Sequence, residues 1–262
     1  MLYSQSKGTG NKSIVLIHGN SQSHQTWDGV IQTGLLTDYR LTGVDLPGHG
    51  LSLRSTSPAQ DYTLKGLGSN LKQFLNEYLD HEFILAGVSL GCNVIAEMTL
   101  IPSNCKGIFL LGPQIIGGDI TPADIIKPNP NVAAIFTPSP ADELLEGFLD
   151  DMVFTLNLSE RKKCKEAFLK TDTLFRQYFG GSITMQQWSD EIENLKRSGI
   201  PLAIIYGEEE RFVVTDYLEK ASLIKWRNKT ILVPQAGHFA HLDQPHLVAG
   251  LINDFAADCF SS

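Results

Sequence analysis

The residues best suited to do chemistry stand in the pentapeptide Gly87-Val88-Ser89-Leu90-Gly91. An apolar run, 83–86, precedes it, and a helical pattern, 90–100, follows from Leu90. Between a strand and a helix, Gly-x-Ser-x-Gly builds a sharp turn that presents the serine hydroxyl at the top of a sheet. The pattern also fits a glycine-rich turn with no chemistry, so the rest of the chain must decide. A serine hydroxyl is a weak nucleophile at neutral pH. Ser89 therefore needs a base, a group that orients the base, and donors for an oxyanion.

The base is sought late in the chain. Gln235-Ala236-Gly237-His238-Phe239 follows the apolar run 230–233. His238 then lies on a loop beyond a strand end, where parallel sheets place their ligands. His241 falls at the entry to the last helix and reads as a packing or capping residue; His246, further inside, reads as structural. The orienting acid is sought after the run 201–206, among Glu208, Glu209, Glu210 and Asp216. A run of three glutamates is usually a solvated loop, so at least two of them are bland. The oxyanion donors expected are the backbone amides of Leu90 and of Asn20, the latter in His18-Gly19-Asn20-Ser21.

These groups need a scaffold that gathers strand ends. Apolar runs at 13–17, 41–44, 83–86, 106–111, 201–206 and 230–233 alternate with helical patterns at 64–79, 90–100, 212–225 and 245–259. Runs apolar on both faces suit a mostly parallel central sheet with helices on both faces, an α/β fold. The segment 113–198 breaks the alternation. It is proline-rich at its start and then helical, with starts expected at Ser139-Pro140, near Ser159, and at Thr184, where Thr184 and Gln187 have capping-box spacing. The second of these helices is expected to run towards Gln177 and stop at Gly180-Gly181. The division expected is a core of 1–112 and 199–262 and a helical insertion of 113–198.

Composition excludes some functions. The net charge of −8 disfavours nucleic acid, which requires a basic face. The four cysteines lack metal-type spacing and read as buried thiols in a reducing compartment. No signal sequence and no apolar run long enough to span a membrane is visible, which points to a cytoplasmic protein with no membrane partner. No metal or organic cofactor is expected.

Together, His18-Gly19, Asp45-Leu46-Pro47-Gly48-His49-Gly50-Leu51-Ser52, the Gly87 to Gly91 turn and Gly237-His238 resemble the α/β-hydrolase superfamily in order and spacing. The resemblance covers the chain outside the insertion. It implies that the insertion is a helical cap and that Asp45 to Ser52 form a structural turn, which removes Asp45 and His49 as catalytic candidates. It also implies that the acid sits three residues after the glycine ending the late strand. That position is Glu210 here, where the family usually has Asp; Glu209 is the fallback. The family's other acid position, after the run 106–111, reads Gly112-Pro113-Gln114 and offers no carboxylate.

A serine at the turn, where related dehalogenases and epoxide hydrolases carry aspartate, implies acyl transfer. The expected reaction is hydrolysis of a carboxylic ester, thioester or lactone through an acyl-enzyme on Ser89, with Glu210 and His238 completing the set. Alternatives on the same residues are carbon–carbon bond hydrolysis and cofactor-free perhydrolysis. Phe239, where ring-cleavage-product hydrolases often carry tryptophan, weighs against the former. A slow-turnover ligand receptor on the same fold is the non-enzymatic alternative. The partner expected is a small molecule with an acyl group; oligomeric state is not readable. Ile135, Phe136, Leu144, Phe148, Met152, Phe154, Phe175, Tyr178 and Trp188 are candidates for the pocket wall, although the insertion's own core claims most of them. Arg161, Lys162, Lys163 and Lys165 read as a solvated helix face.

Overall fold

A computed structural model describes residues 2–155 and 157–261. Seven strands form one sheet in the order β1-β3-β2-β4-β5-β6-β7. They are β1 (Ser4–Lys7), β2 (Ser13–Ile17), β3 (Arg40–Val44), β4 (Phe83–Val88), β5 (Cys105–Leu111), β6 (Leu202–Gly207) and β7 (Lys225–Val233). All neighbours pair in parallel except β1, which runs antiparallel to β3. Every residue of β2, β4 and β6 is buried, as expected for strands covered on both faces. The chain is therefore an α/β fold, a mostly parallel sheet flanked by helices.

Parallel pairing aligns the C-terminal strand ends along one edge. The loops after β2, β4, β5, β6 and β7 open there, and they carry Asn20, Ser89, Gln114, Glu210 and His238. Helix Leu64–Tyr78 starts at Thr63, whose hydroxyl accepts the Gly66 amide, and buries Leu64, Leu67, Leu71, Phe74 and Leu75 on one face. Helix Pro245–Phe260 begins with the expected proline and packs Phe255 onto Phe109 of β5. All four cysteines are free and buried.

Several elements differ from the sequence expectation. Strand β1 was not expected, because Ser-Gln-Ser-Lys has no apolar pattern; it is a polar edge strand. The expected helix 212–225 is reduced to a short 3-10 turn, Tyr217–Lys220. The backbone of 212–214 is spoken for elsewhere. The Phe212 and Val213 amides donate to the Glu210 carboxylate, Val214 donates to the Ile125 carbonyl, and Lys127 donates to the Phe212 carbonyl. The helix from Leu90 ends at Ala96.

Between β5 and β6 lie the helices Pro122–Ile125, Asp142–Asp151, Leu158–Lys170, Thr173–Thr184 and Glu191–Ser198. The single helix expected from Ser159 is two. Its break is at Asp172, whose carboxylate caps the second helix through the Leu174 amide and also accepts the Tyr62 hydroxyl. Gly180-Gly181 does not stop that second helix, which buries Phe175, Phe179 and Ser182 along one face. Thr184 ends this helix rather than starting the next, since its hydroxyl donates back to the Gly180 carbonyl. The following helix starts instead after Asp190, whose side chain accepts the Glu193 amide.

Candidate active site

Ser89 follows β4 directly, in a backbone conformation that side chains resist, with φ 51° and ψ −120°. Such a residue typically costs about 1 to 3 kcal/mol and persists only where its surroundings fix it. Here the Ser89 amide donates to the Leu111 carbonyl and the Ser89 carbonyl accepts the Cys92 amide. The flanking glycines allow the turn to close: a Cβ on Gly87 would meet the Gly91 carbonyl carbon at 2.7 Å. The serine hydroxyl is pushed out of the strand line as a result.

Its partners come from two other loops. Ser89 Oγ lies 2.9 Å from His238 Nε2. His238 Nδ1 lies 2.7 Å from Glu210 Oε2. Glu210 Oε1 accepts the amides of Phe212 at 2.7 Å and Val213 at 3.3 Å. The imidazole sits edge to face between the rings of Phe212 and Phe239. Its loop is pinned on both sides, by the Gly237 amide donating to Asp243 and the Phe239 amide donating to the Met152 carbonyl. The structure thus brings Ser89, His238 and Glu210 into one hydrogen-bonded row. Burial alone would push the Glu210 carboxyl up. The charge and hydrogen bond of His238 and the two amides outweigh it and hold the carboxyl below its usual range. This row can remove a proton from the hydroxyl and hold it on the ring.

The competing residues are placed elsewhere. Glu208 and Glu209 are exposed. His241 is fully buried, with Nε2 2.8 Å from the Thr26 hydroxyl, and burial pushes its pKa down to about 3. His246 is exposed near the start of the last helix. Asp45 accepts the amides of His24 and Leu51 and bonds the His24 ring, so its carboxylate ties its own turn to the segment at His24. His49 accepts the Ser21 amide at Nε2 and bonds the Pro47 carbonyl through Nδ1; burial lowers its pKa strongly.

Asn20 and Leu90 line the same cavity as Ser89. The loop after β2 presses on the serine, since a Cβ on Gly19 would meet Ser89 Cβ at 3.4 Å. The cavity holds about 310 Å³, and its polar wall consists of Asn20, Ser89, Asn93, Gln114 and His238. No Asp, Glu, Lys or Arg among the described residues lines it. Of the nine wall candidates, Ile135, Phe136 and Phe148 are present, and the other six are not. Phe175, for example, packs edge-on against His49 instead, with ring centroids 4.2 Å apart. The expectation missed Ile116, Ile125, Ile126, Phe179, Ile183 and Phe212. The adjacent isoleucines after β5 were the available signal.

Gln114 was also missed as a participant. Its Nε2 lies 3.3 Å from Ser89 Oγ and 3.4 Å from His238 Nε2. The basic run pairs along and across its helix: Arg161 with Asp150 and Glu146, Lys163 with Glu160, Lys165 with Glu146. Among the described residues, no cluster of three His, Cys, Asp or Glu could hold a metal ion. Among them too, no helix is long and apolar enough to cross a membrane.

A parallel sheet that gathers a serine, a histidine and a carboxylate at one edge defines a hydrolase of the α/β class. The chain belongs to the alpha/beta hydrolase family, whose model matches residues 14–251. The monoacylglycerol lipase abhd6-A of Xenopus laevis is 24% identical, over 97% of this chain and 78% of its own. A pimeloyl-acyl-carrier-protein methyl ester esterase of Sodalis glossinidius is 24% identical, over 97% of each chain. Among solved structures, an N-acyl homoserine lactonase complexed with N-butanoyl homoserine shares the fold, with TM-score 0.88. It is 21% identical, over 98% of this chain and 93% of that one.

Proposed function

We propose that the protein hydrolyses a carboxylic ester through an acyl-enzyme on Ser89. The observation that carries this reading is the row from Ser89 Oγ through His238 to Glu210, at 2.9 and 2.7 Å, opening into an apolar cavity. Glu210 accepts the Nδ1 proton of His238 and leaves Nε2 free to act as base. As Ser89 Oγ attacks the ester carbonyl, its proton passes to Nε2. The carbonyl oxygen becomes an oxyanion and receives the backbone amides of Leu90 and Asn20. The intermediate collapses, the carbon–oxygen bond to the alcohol breaks, and Nε2 returns the proton to the departing oxygen. Water then attacks the acyl-enzyme and gives a proton to Nε2; the bond from the acyl carbon to Ser89 Oγ breaks, Nε2 returns that proton to Oγ, and the acid leaves.

Relatives named as lipase, methyl ester esterase and lactonase act on esters or on a cyclic ester, in keeping with this chemistry. The wall offers no counter-ion, so the group it holds is neutral. A cavity of about 310 Å³ stands at the small end of ligand sites, which run from roughly 300 to 1,000 Å³. A short to medium aliphatic or aryl group fits that space. Ile135, Phe136, Phe148, Phe179 and Ile183 come from the segment 113–198, which we read as the cap that selects the substrate.

The test is turnover of p-nitrophenyl butyrate by the wild-type chain and by Ser89→Ala, with intact-mass detection of an acyl adduct. Rapid turnover lost in Ser89→Ala supports the reading. Equally slow release from both proteins would leave a ligand receptor as the better description.

A further inference from the structure

Gln114 reaches both atoms that a departing alcohol oxygen has to face, Ser89 Oγ and His238 Nε2. In the tetrahedral intermediate that oxygen and Ser89 Oγ are bonded to the same carbon, and the departing oxygen must also face His238 Nε2 to receive its proton. A donor that serves it has to reach both of those atoms. Gln114 Nε2 does so, at 3.3 Å from Ser89 Oγ and 3.4 Å from His238 Nε2.

The sheet order puts this donor and the Asn20 amide on opposite flanks of Ser89. β4, which carries Ser89, lies between β2 and β5. Asn20 follows β2 on one flank and Gln114 follows β5 on the other. Two oxygens of one tetrahedral carbon point in different directions and so require donors from different sides.

The backbone that carries Gln114 is anchored. The Gln114 carbonyl accepts Asn93 Nδ2 at 2.7 Å. The preceding Pro113 carbonyl accepts the hydroxyls of Tyr206 at 3.0 Å and Tyr217 at 3.3 Å. Asn93 is itself fixed by Glu191 Oε2 at 2.8 Å. These anchors fix the backbone from which the Gln114 side chain reaches Ser89 and His238.

We propose that the Gln114 carboxamide donates a hydrogen bond to the alcohol oxygen of the ester as the carbon–oxygen bond breaks. This deepens the serine-ester reading and rests on it. The bond matters in proportion to the charge on the departing oxygen. An aliphatic alkoxide carries more charge and needs more help than a p-nitrophenolate, whose ring takes up the charge itself.

The experiment compares kcat/KM for ethyl butyrate and p-nitrophenyl butyrate in the wild type and in Gln114→Met. Losing a hydrogen bond to a charged oxygen costs roughly 10- to 100-fold. The ethyl ester is expected to lose about that factor more than the aryl ester, so the ratio of the two constants shifts by it. An equal loss on both esters, or none, overturns the proposal, because a structural disturbance has no reason to follow the leaving group. Should Gln114→Met fail to fold, Gln114→Glu supplies the same comparison. Its ionised carboxylate cannot donate, so the ethyl ester again falls further than the aryl ester, and the ratio of the two constants recovers as the pH drops and the carboxyl gains its proton. A uniform loss there is equally damaging. If the serine reading itself fails, no protein in the series forms an acyl adduct on Ser89, which separates that failure from this one.

Discussion

Glu210 Oε2 lies 2.7 Å from His238 Nδ1, while its second oxygen is tied to the amides of Phe212 and Val213. A glutamate is one methylene longer than the aspartate the resemblance leads one to expect. The extra reach is absorbed by the two-amide anchor, which folds the carboxylate back along its own loop. That same anchor removes residues 212–214 from any helix.

Substituting Glu210→Gln keeps the shape and places either an amide nitrogen or a neutral oxygen against Nδ1. Turnover is expected to fall by about 10³- to 10⁴-fold, as loss of the orienting acid does in other triads, with the far-ultraviolet spectrum unchanged. Glu209→Gln changes an exposed side chain and should leave kcat near the wild-type value. Steady-state kinetics with p-nitrophenyl butyrate checks both. If Glu209→Gln produced the large loss, the acid would be one residue earlier.

His238 and His241 offer a second contrast. His238→Ala removes the only ring hydrogen-bonded to Ser89 Oγ among the described residues, and ester turnover should drop by at least about 10³-fold. His241 lies instead against Trp27 and Phe239 and bonds Thr26. His241→Ala opens a cavity and orphans that hydroxyl, which should cost about 2 kcal/mol in urea unfolding while most turnover survives. A pair of results in the opposite order would transfer the base to His241.

The legible part of this site was the part set by chain order. A glycine-framed serine after a strand, a carboxylate after a later strand and a histidine after the last are separated by long stretches, yet parallel strands bring their ends together. Choosing Glu210 among four acids needed the family pattern, because local sequence does not tell which carboxylate turns inward. The wall of the cavity was not legible. Ile116 and Phe179 face the cavity and Phe175 faces the core, but all three are buried and apolar, so hydrophobic spacing treats them alike. Gln114 was passed over for a related reason. Its position matters through atoms on the loops after two other strands, and nothing in Gly112-Pro113-Gln114 announces them.

Arg176 joins the helical segment to the loop beside Ser89. Its guanidinium donates to the carbonyls of Thr137, Pro138 and Phe168, lies 4.3 Å over the Phe168 ring, and donates to the Ser21 hydroxyl. Ser21 in turn donates to Asn20 Oδ1 at 2.8 Å. Burial lowers the pKa of this arginine to about 10, which leaves it charged at neutral pH. Arg176→Met strands the buried Phe168 carbonyl, removes the donor of the half-buried Thr137 and Pro138 carbonyls, and frees the Asn20 loop. It is expected to cost about 3 kcal/mol or more in unfolding free energy and to lower kcat together with it. A variant as stable as the wild type by urea titration would show that these bonds are replaced by water at no cost.

Glu191 gives a prediction for pH. It is fully buried, accepts Asn93 Nδ2 and the Ile116 amide at Oε2, and has no partner at Oε1 among the described residues. Burial, helped by the charges of Glu97 and Asp190, pushes its carboxyl well above the usual range despite those two donors. The folded chain therefore holds a proton that the unfolded chain releases once the pH exceeds the ordinary glutamate value. Unfolding sheds a proton in that window, so stability is greatest below it and falls as the pH climbs towards the folded-state value. Glu191→Gln keeps a carbonyl oxygen for both donors and cannot ionise. Its unfolding free energy should decline less than that of the wild type between about pH 5 and about pH 8, and the gap between the two proteins should widen with pH. Parallel urea titrations across that range read the gap directly. A constant difference would mean that Glu191 titrates alike in both states, and that its proton does not couple to the fold around Asn93.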